Sequence, residues 1–101
     1  MAHDVQTKVL IFEFSGLETD ESASKLKDLL DSVKEDVSVL VNNVGVLHFG
    51  RLGDMDILSI NTMINVNVNA QTYMSLLMLP RLLARDKRSA VINLSSMASF
   101  Y

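Results

Sequence analysis

Three short stretches of the chain are apolar at almost every position: Lys8 to Phe14 (KVLIFEF), Val37 to Val41 broken only by Ser38, and Ala90 to Ser95 (AVINLS). Short runs rich in β-branched residues and bounded by turn formers predict strands buried on both faces. Between them the period changes. From Ser22 to Glu35, Leu26, Leu29, Leu30 and Val33 fall at i, i+3, i+4 and i+7, with Lys25, Lys27, Asp28, Asp31 and Lys34 outside the stripe. That is one helix face, and Thr19 or Asp20 can cap its start.

The segment from about Asp54 to Asp86 holds a conflict. Ile64 to Asn69 (INVNVN) alternates like a half-buried strand, yet Ile60, Met63, Ile64, Asn67, Ala70 and Met74 share one helical face. No turn signal interrupts them, so the reading is helical. Asn67 is then the single polar residue on an apolar face, while Asn65 and Asn69 pair at i, i+4 elsewhere. A buried asparagine needs hydrogen-bond partners, or its desolvation costs about 1–3 kcal/mol. Asn67 either bonds nearby backbone at a kink, or holds a water or a neighbouring group in a site. Residue pattern alone leaves both open. Pro80 inside the pattern predicts a kink, or an end to regular hydrogen bonding one turn earlier.

The resulting order, strand-helix-strand-helix-strand, predicts a parallel sheet with right-handed crossovers. If the strands progress in one direction, both helices lie on the same face. The strands are apolar on both sides, so a second face is left without cover. The chain therefore reads as part of a larger α/β domain, or as one whose open face is hidden by an oligomer or a protein partner.

Composition narrows the class. The 101 residues suffice for one small domain, and 49% hydrophobic with 21% charged residues is globular. A net charge of −3 offers no basic field for nucleic acid or an anionic membrane. With no cysteine there is neither a disulfide framework nor a thiolate metal site. With only His3 and His48 as imidazoles, no metal site is expected. The most apolar segment, Ala70 to Ala84, is cut by Arg81 and falls short of the ~20 residues a bilayer requires. The start of the chain lacks the basic and apolar regions of a signal peptide, and the chain as written reads as soluble.

Candidate chemistry collects at strand ends. Asn42-Asn43-Val44-Gly45 follows the central strand and Ser95-Ser96 ends the last one. In an open parallel sheet, ligands bind at the carboxyl edge. Ser96 has no base positioned nearby in sequence, which leaves a Ser-His nucleophile unsupported. Glu13 at the end of the first run is either a solvated rim carboxylate or an acceptor for a ligand hydroxyl or amine. Arg81, Arg85, Lys87 and Arg88 cluster near a helix end, as capping cations or as a phosphate patch. The glycines form no phosphate-binding fingerprint, because neither Gly-x-Gly-x-x-Gly nor Gly-Lys-Ser/Thr occurs.

Three segments together resemble the short-chain dehydrogenase/reductase family: Val39-Leu40-Val41-Asn42-Asn43-Val44-Gly45, then Ile64-Asn65-Val66-Asn67-Val68 with Leu79-Pro80 downstream, then Val91-Ile92-Asn93-Leu94-Ser95-Ser96. Each is weak alone; their order and spacing match the family from its third strand to its fifth. Val44, where most members have alanine, and residues 8–15 resemble the branch of very-long-chain 3-oxoacyl-CoA reductases and 17β-hydroxysteroid dehydrogenases, including its inactive relatives. The resemblance implies an α/β fold, a partial Rossmann-type doubly wound parallel sheet (β-α-β-α-β), incomplete. Residues 1–101 would form part of an NAD(P)-binding domain, covering less than half of the family's own.

On that resemblance, Asn43, Val44 and Gly45 line the adenosine side of an NADP or NAD site. Glu13 stands where many members place an aspartate near the adenine. Asn67 matches the asparagine that holds a water in the proton relay, and Ser96 the substrate-orienting serine. The substrate would be a small-molecule carbonyl of 3-oxoacyl or steroid type, in lipid metabolism, and the branch sits at the endoplasmic reticulum. The family's glycine-rich loop and its Tyr-x-x-x-Lys are not present, and Tyr101 is too close to Ser96 to be that tyrosine. The expected function is thus a piece of an NAD(P)-dependent oxidoreductase, inactive as these 101 residues. The alternative is a non-catalytic half-fold acting as a protein-interaction module.

Overall fold

The computed structural model describes residues 5–97; His3 and Tyr101, named above, lie outside them. The order is α1 (Asp20–Asp31), β1 (Val39–Asn42), α2 (Ile57–Ile64), a π-helical turn (Asn65–Asn69), α3 (Ala70–Leu83) and β2 (Ala90–Asn93). Single 3-10 turns lie at Phe14–Gly16 and Leu52–Asp54. Strands β1 and β2 pair in parallel with Val39 opposite Ala90 and Asn42 opposite Asn93, and the α2–α3 segment forms the crossover between them.

Helix α1 starts where its capping chemistry allows. The Thr19 hydroxyl accepts the Ser22 N–H at 3.1 Å, satisfying one orphan donor of the first turn, with Asp20 and Glu21 beside the positive end of the dipole. The predicted stripe faces inward: Leu26 is buried and Leu29, Leu30 and Val33 are half-buried. The helix ends at Asp31 rather than Glu35. Beyond it, Arg81 of α3 donates to the carbonyls of Leu30, Val33 and Glu35 at 3.0, 2.8 and 3.1 Å. These bonds hold the chain on its way from α1 to β1.

Arg85 makes a two-pronged pair with Asp36 at 2.9 and 3.0 Å. Two of the three arginines of the basic cluster, Arg81 and Arg85, are therefore spent on the chain itself, which favours structure over a phosphate patch. The Arg85 hydrogen bond holds the Asp36 carboxyl below its ordinary value of 3.8. A carboxyl lowered in the native state adds stability that is full above its unfolded value and lost as pH falls through the native one. Asp36→Asn should therefore melt below the parent at about pH 6, with the gap closing in acid. Thermal melts across that range check it.

The first apolar run does not form a strand. Residues 5–13 pair with no other strand among the described residues, and Val9 and Ile11 are 84% and 90% exposed. Phe12 and Phe14, edge to face at 4.9 Å, instead pack on a cluster of Leu17, Leu26 and Ala70. A strand is completed only by a neighbour's N–H and C=O groups. The run has the hydrophobicity of a buried strand but no such neighbour among the described residues.

A second cluster of Leu40, Met78 and Leu82 joins β1 to α3, and Leu30 and Met74 touch both clusters. Two of the six methionines thus fill core gaps, as their flexibility allows. Pro80 does not end α3, which continues to Leu83. Its missing N–H leaves the carbonyl of Leu76 without its usual donor, and Leu76 is 68% exposed, so water can serve. The outer face of the sheet stays open: Val39, Val41 and Ile92 are each about half exposed.

Candidate functional site

The two strands end together. Asn42 and Asn93 are register partners, and the Leu94 N–H donates to the Asn42 carbonyl at 3.1 Å. The segments Asn43 to Gly45 and Leu94 to Ser96 therefore leave the sheet from the same carboxyl edge. Behind that edge the Asn42 amide donates to Asn93 Oδ1 at 2.8 Å and to Ser75 Oγ of α3 at 3.1 Å. Asn42 is only 9% exposed, so these bonds offset its desolvation. It closes the strand rather than opening the loop.

Asn67 lies in the π turn and faces the segment after β1. Its Oδ1 accepts the Val46 N–H and its Nδ2 donates to the Val46 carbonyl, both at 2.8 Å. A side-chain amide pairing in both directions with one residue's backbone fixes that loop as a strand neighbour would. Gly45 sits beneath it: a Cβ added there would meet Asn67 Oδ1 at 3.6 Å, ordinary contact. Asn67 is exposed, contrary to its expected burial. An amide has two donors and two lone pairs, so one N–H and one lone pair remain for water or a ligand.

The buried asparagine is Asn65, at 2% exposure. The π turn explains the exchange. Its i→i+5 bonding takes an extra residue into one turn, so the inward face expected to pass through Ile64 and Asn67 passes through Asn65 and Val66, and Ile64 and Asn67 are exposed. Downstream, Ala70, Met78 and Leu82 continue that face. Asn65 donates to the Ser15 carbonyl at 2.8 Å and to the Glu18 carboxylate, and accepts from Asn69 Nδ2 at 2.7 Å. The Asn65–Asn69 pair expected from the spacing is thus present, but inside the protein.

On the other side of Asn43, a small cavity of about 70 Å³ lies among Phe14, Val41 to Val44, Ala70, Gln71 and Met74. It has room for a water or two, far from the ~300 Å³ of a ligand pocket. Glu13, one residue before Phe14, accepts the Ser15 N–H at 3.0 Å and caps the 3-10 turn. Its carboxylate is exposed and keeps acceptor capacity. Ser96 is exposed, three residues past the end of β2.

Asp56, in the loop that also holds His48, caps α2 by accepting the Ser59 N–H at 2.7 Å. That backbone bond holds its carboxyl below the usual range, with a smaller contribution from His48. Among the described residues no cluster of histidine and acidic side chains has the makings of a metal site. No described helix is long and apolar enough to cross a membrane.

The fold thus brings Asn67 to Gly45 and Val46, and sets Asn43 and Val44 beside Phe14. It gathers those segments and the one bearing Ser96 along one sheet edge. Sequence reading missed the polar lock in which the buried Asn42 is bonded to Ser75 and Asn93. The signal was available: an asparagine ends both apolar strands, one register step before the loop.

The chain is 33% identical over 104 residues to the very-long-chain 3-oxoacyl-CoA reductase of Anas platyrhynchos, a match covering 98% of this chain and 31% of the relative. Two Danio rerio proteins, very-long-chain 3-oxoacyl-CoA reductase-A and reductase-B, are each 32% identical over 98% of this chain and 30% and 31% of their own lengths. The chain therefore spans about a third of the curated relatives it matches. No solved structure matches it significantly. The family model for short chain dehydrogenase matches residues 3–101. With nearly every residue inside that match, the chain belongs to the short-chain dehydrogenase family.

Proposed function

We propose that these residues are the third-to-fifth-strand segment of an NADPH-dependent reductase that acts on 3-oxoacyl-CoA. The observation behind the proposal is the clasp of Asn67 on Val46 at the sheet edge, in a chain aligned over 98% of its length with very-long-chain 3-oxoacyl-CoA reductases. Members of the family use NAD or NADP. The acyl-CoA substrate is preferred to a steroid because the relatives compared above bear that name. The same likeness extends the proposal to an endoplasmic-reticulum location.

In this reading Asn43, Val44 and Gly45 form the edge against which the adenosine half of the cofactor rests, and the free acceptor of Glu13 serves its hydroxyl or amine groups. The described residues supply an edge and no enclosed pocket for that half: the apolar-lined cavity beside Asn43 holds only a water or two, and no glycine-rich cradle for the phosphates occurs in the sequence. The cofactor, when bound, supplies the hydride. Asn67 would use its spare N–H and lone pair to hold a water, with its other two bonds fixing the amide plane. Ser96 would donate its hydroxyl to the substrate oxygen and orient it.

The test pairs two samples in an NADPH-oxidation assay with a long-chain 3-oxoacyl-CoA. The protein isolated from its own source, with its intact mass measured, should oxidise NADPH, and Ser96→Ala should lower that rate roughly 10²-fold or more. The 101 residues alone should oxidise none. Turnover by the 101 residues alone, or an unchanged rate in Ser96→Ala, would overturn the assignment.

A second reading, a half-fold that docks a protein partner, has one observation in its favour. The sheet face of Val39, Val41 and Ile92 is open. A monomer at its own mass by light scattering, with no binding of an apolar dye, counts against it.

A further inference from the structure

Asn65 is buried and is bound on three sides, and nothing in the proposed chemistry uses it. Its Oδ1 accepts from Asn69 Nδ2, so the first and last residues of the π turn are tied across it. Its Nδ2 donates to the Ser15 carbonyl and to the Glu18 carboxylate, so the turn is also tied to the segment following Glu13 and Phe14. A π turn is rare because it takes in one more residue than the helix around it. Something must stabilise it over the regular α-helix, and these bonds from a 2% exposed amide are available.

We infer that Asn65 is a positioning residue: by holding the π turn it aims the Asn67 amide at Val46. The turn has two faces. Asn65 and Asn69 are on the inner one, against Ser15 and Glu18, and Asn67 is on the outer one, against Val46. Without the inner bonds the segment relaxes to α-helix, and one residue fewer per turn rotates the downstream frame by about 100°. Asn67 then points away from Val46. An apolar residue at 65 fills the same space, but it cannot tie Asn69 to Ser15 and Glu18. The inference rests on the proposed function only in giving Asn67 a task there.

Amide hydrogen exchange of the protein reads the aim of Asn67 without any activity. In Asn65→Ala the Val46 amide should exchange roughly tenfold faster, as it does in Asn67→Ala, while the ladder amides of Ala90 and Leu94 keep their protection. Unchanged Val46 exchange would overturn the inference. If the ladder amides are lost too, Glu18→Ala decides the matter. Glu18 is exposed, so its removal opens no cavity while it takes one bond from Asn65. Faster Val46 exchange in that variant supports the inference, and unchanged exchange refutes it.

The kinetic readout separates the two readings. If the protein reduces 3-oxoacyl-CoA, Asn65→Ala should lower kcat about as far as Asn67→Ala with KM little changed. A parent without turnover sinks the reductase reading and leaves the exchange result standing. An unchanged kcat beside faster Val46 exchange confines Asn65 to the loop and removes the role in aiming a working amide.

Discussion

Asn67→Ala is expected to abolish the link between the π turn and the loop after β1 and, under the proposed reductase function, to lower the rate of NADPH oxidation roughly 10²-fold with a small change in KM. Two 2.8 Å bonds to Val46 disappear together, and nothing else in the described residues fixes Val46 N–H and C=O. Their loss costs stability of about 1–3 kcal/mol at most, because each such bond contributes ~0.5–1.5 kcal/mol net and the site is exposed. A rate loss far larger than the stability loss marks Asn67 as a participant and not a brace. Asn67→Asp sharpens the distinction: the carboxylate still accepts the Val46 N–H but cannot donate to its carbonyl. Steady-state NADPH oxidation beside urea melts of both variants gives the comparison.

Leu26→Ala is expected to have the largest effect on stability, about 2–5 kcal/mol, the cost of removing a buried leucine and leaving a cavity. Leu26 and Leu17 are the large side chains buried at 1% and 0%. Leu26 is the point at which α1 meets Ala70 of α3 and the Phe12–Phe14 pair. A domain of ordinary stability, ~5–15 kcal/mol, loses a large share of it by this one change. The arrangement of this chain is open rather than compact. Its radius of gyration is 16.2 Å, against the ~13 Å of a compact chain of this length. The urea midpoint followed by circular dichroism measures the loss. A midpoint within experimental error of the parent would mean that α1 does not pack as described.

Much of the fold was legible because the information is local. The Leu26, Leu29, Leu30 and Val33 stripe needs only a period of 3.6, and the caps at Thr19 and Asp56 need only a side chain within reach of its own turn. The apolar runs marked β1 and β2, and their parallel pairing followed from the helical crossover between them. The edge position of Asn43 to Gly45 followed in turn. The same signal failed at Lys8 to Phe14, because hydrophobicity states that a segment seeks cover and not that a pairing strand stands beside it.

The asparagines of Ile64 to Asn69 show the remaining limit. Sequence determined that the segment is helical and that Asn65 and Asn69 pair, but it put Asn67 on the inner face and that pair elsewhere, the reverse of what the structure shows. It did not determine which asparagine goes inside. A regular 3.6 period puts Asn67 there, and one residue taken into a π turn puts Asn65 there. That choice depends on bonds to Ser15 and Glu18, 50 and 47 residues away, and on Val46, 21 residues away. Helical periodicity is set by neighbours along the chain. Its phase at a rare turn is set by whichever distant groups can bond the buried amide, and only the tertiary structure brings those together.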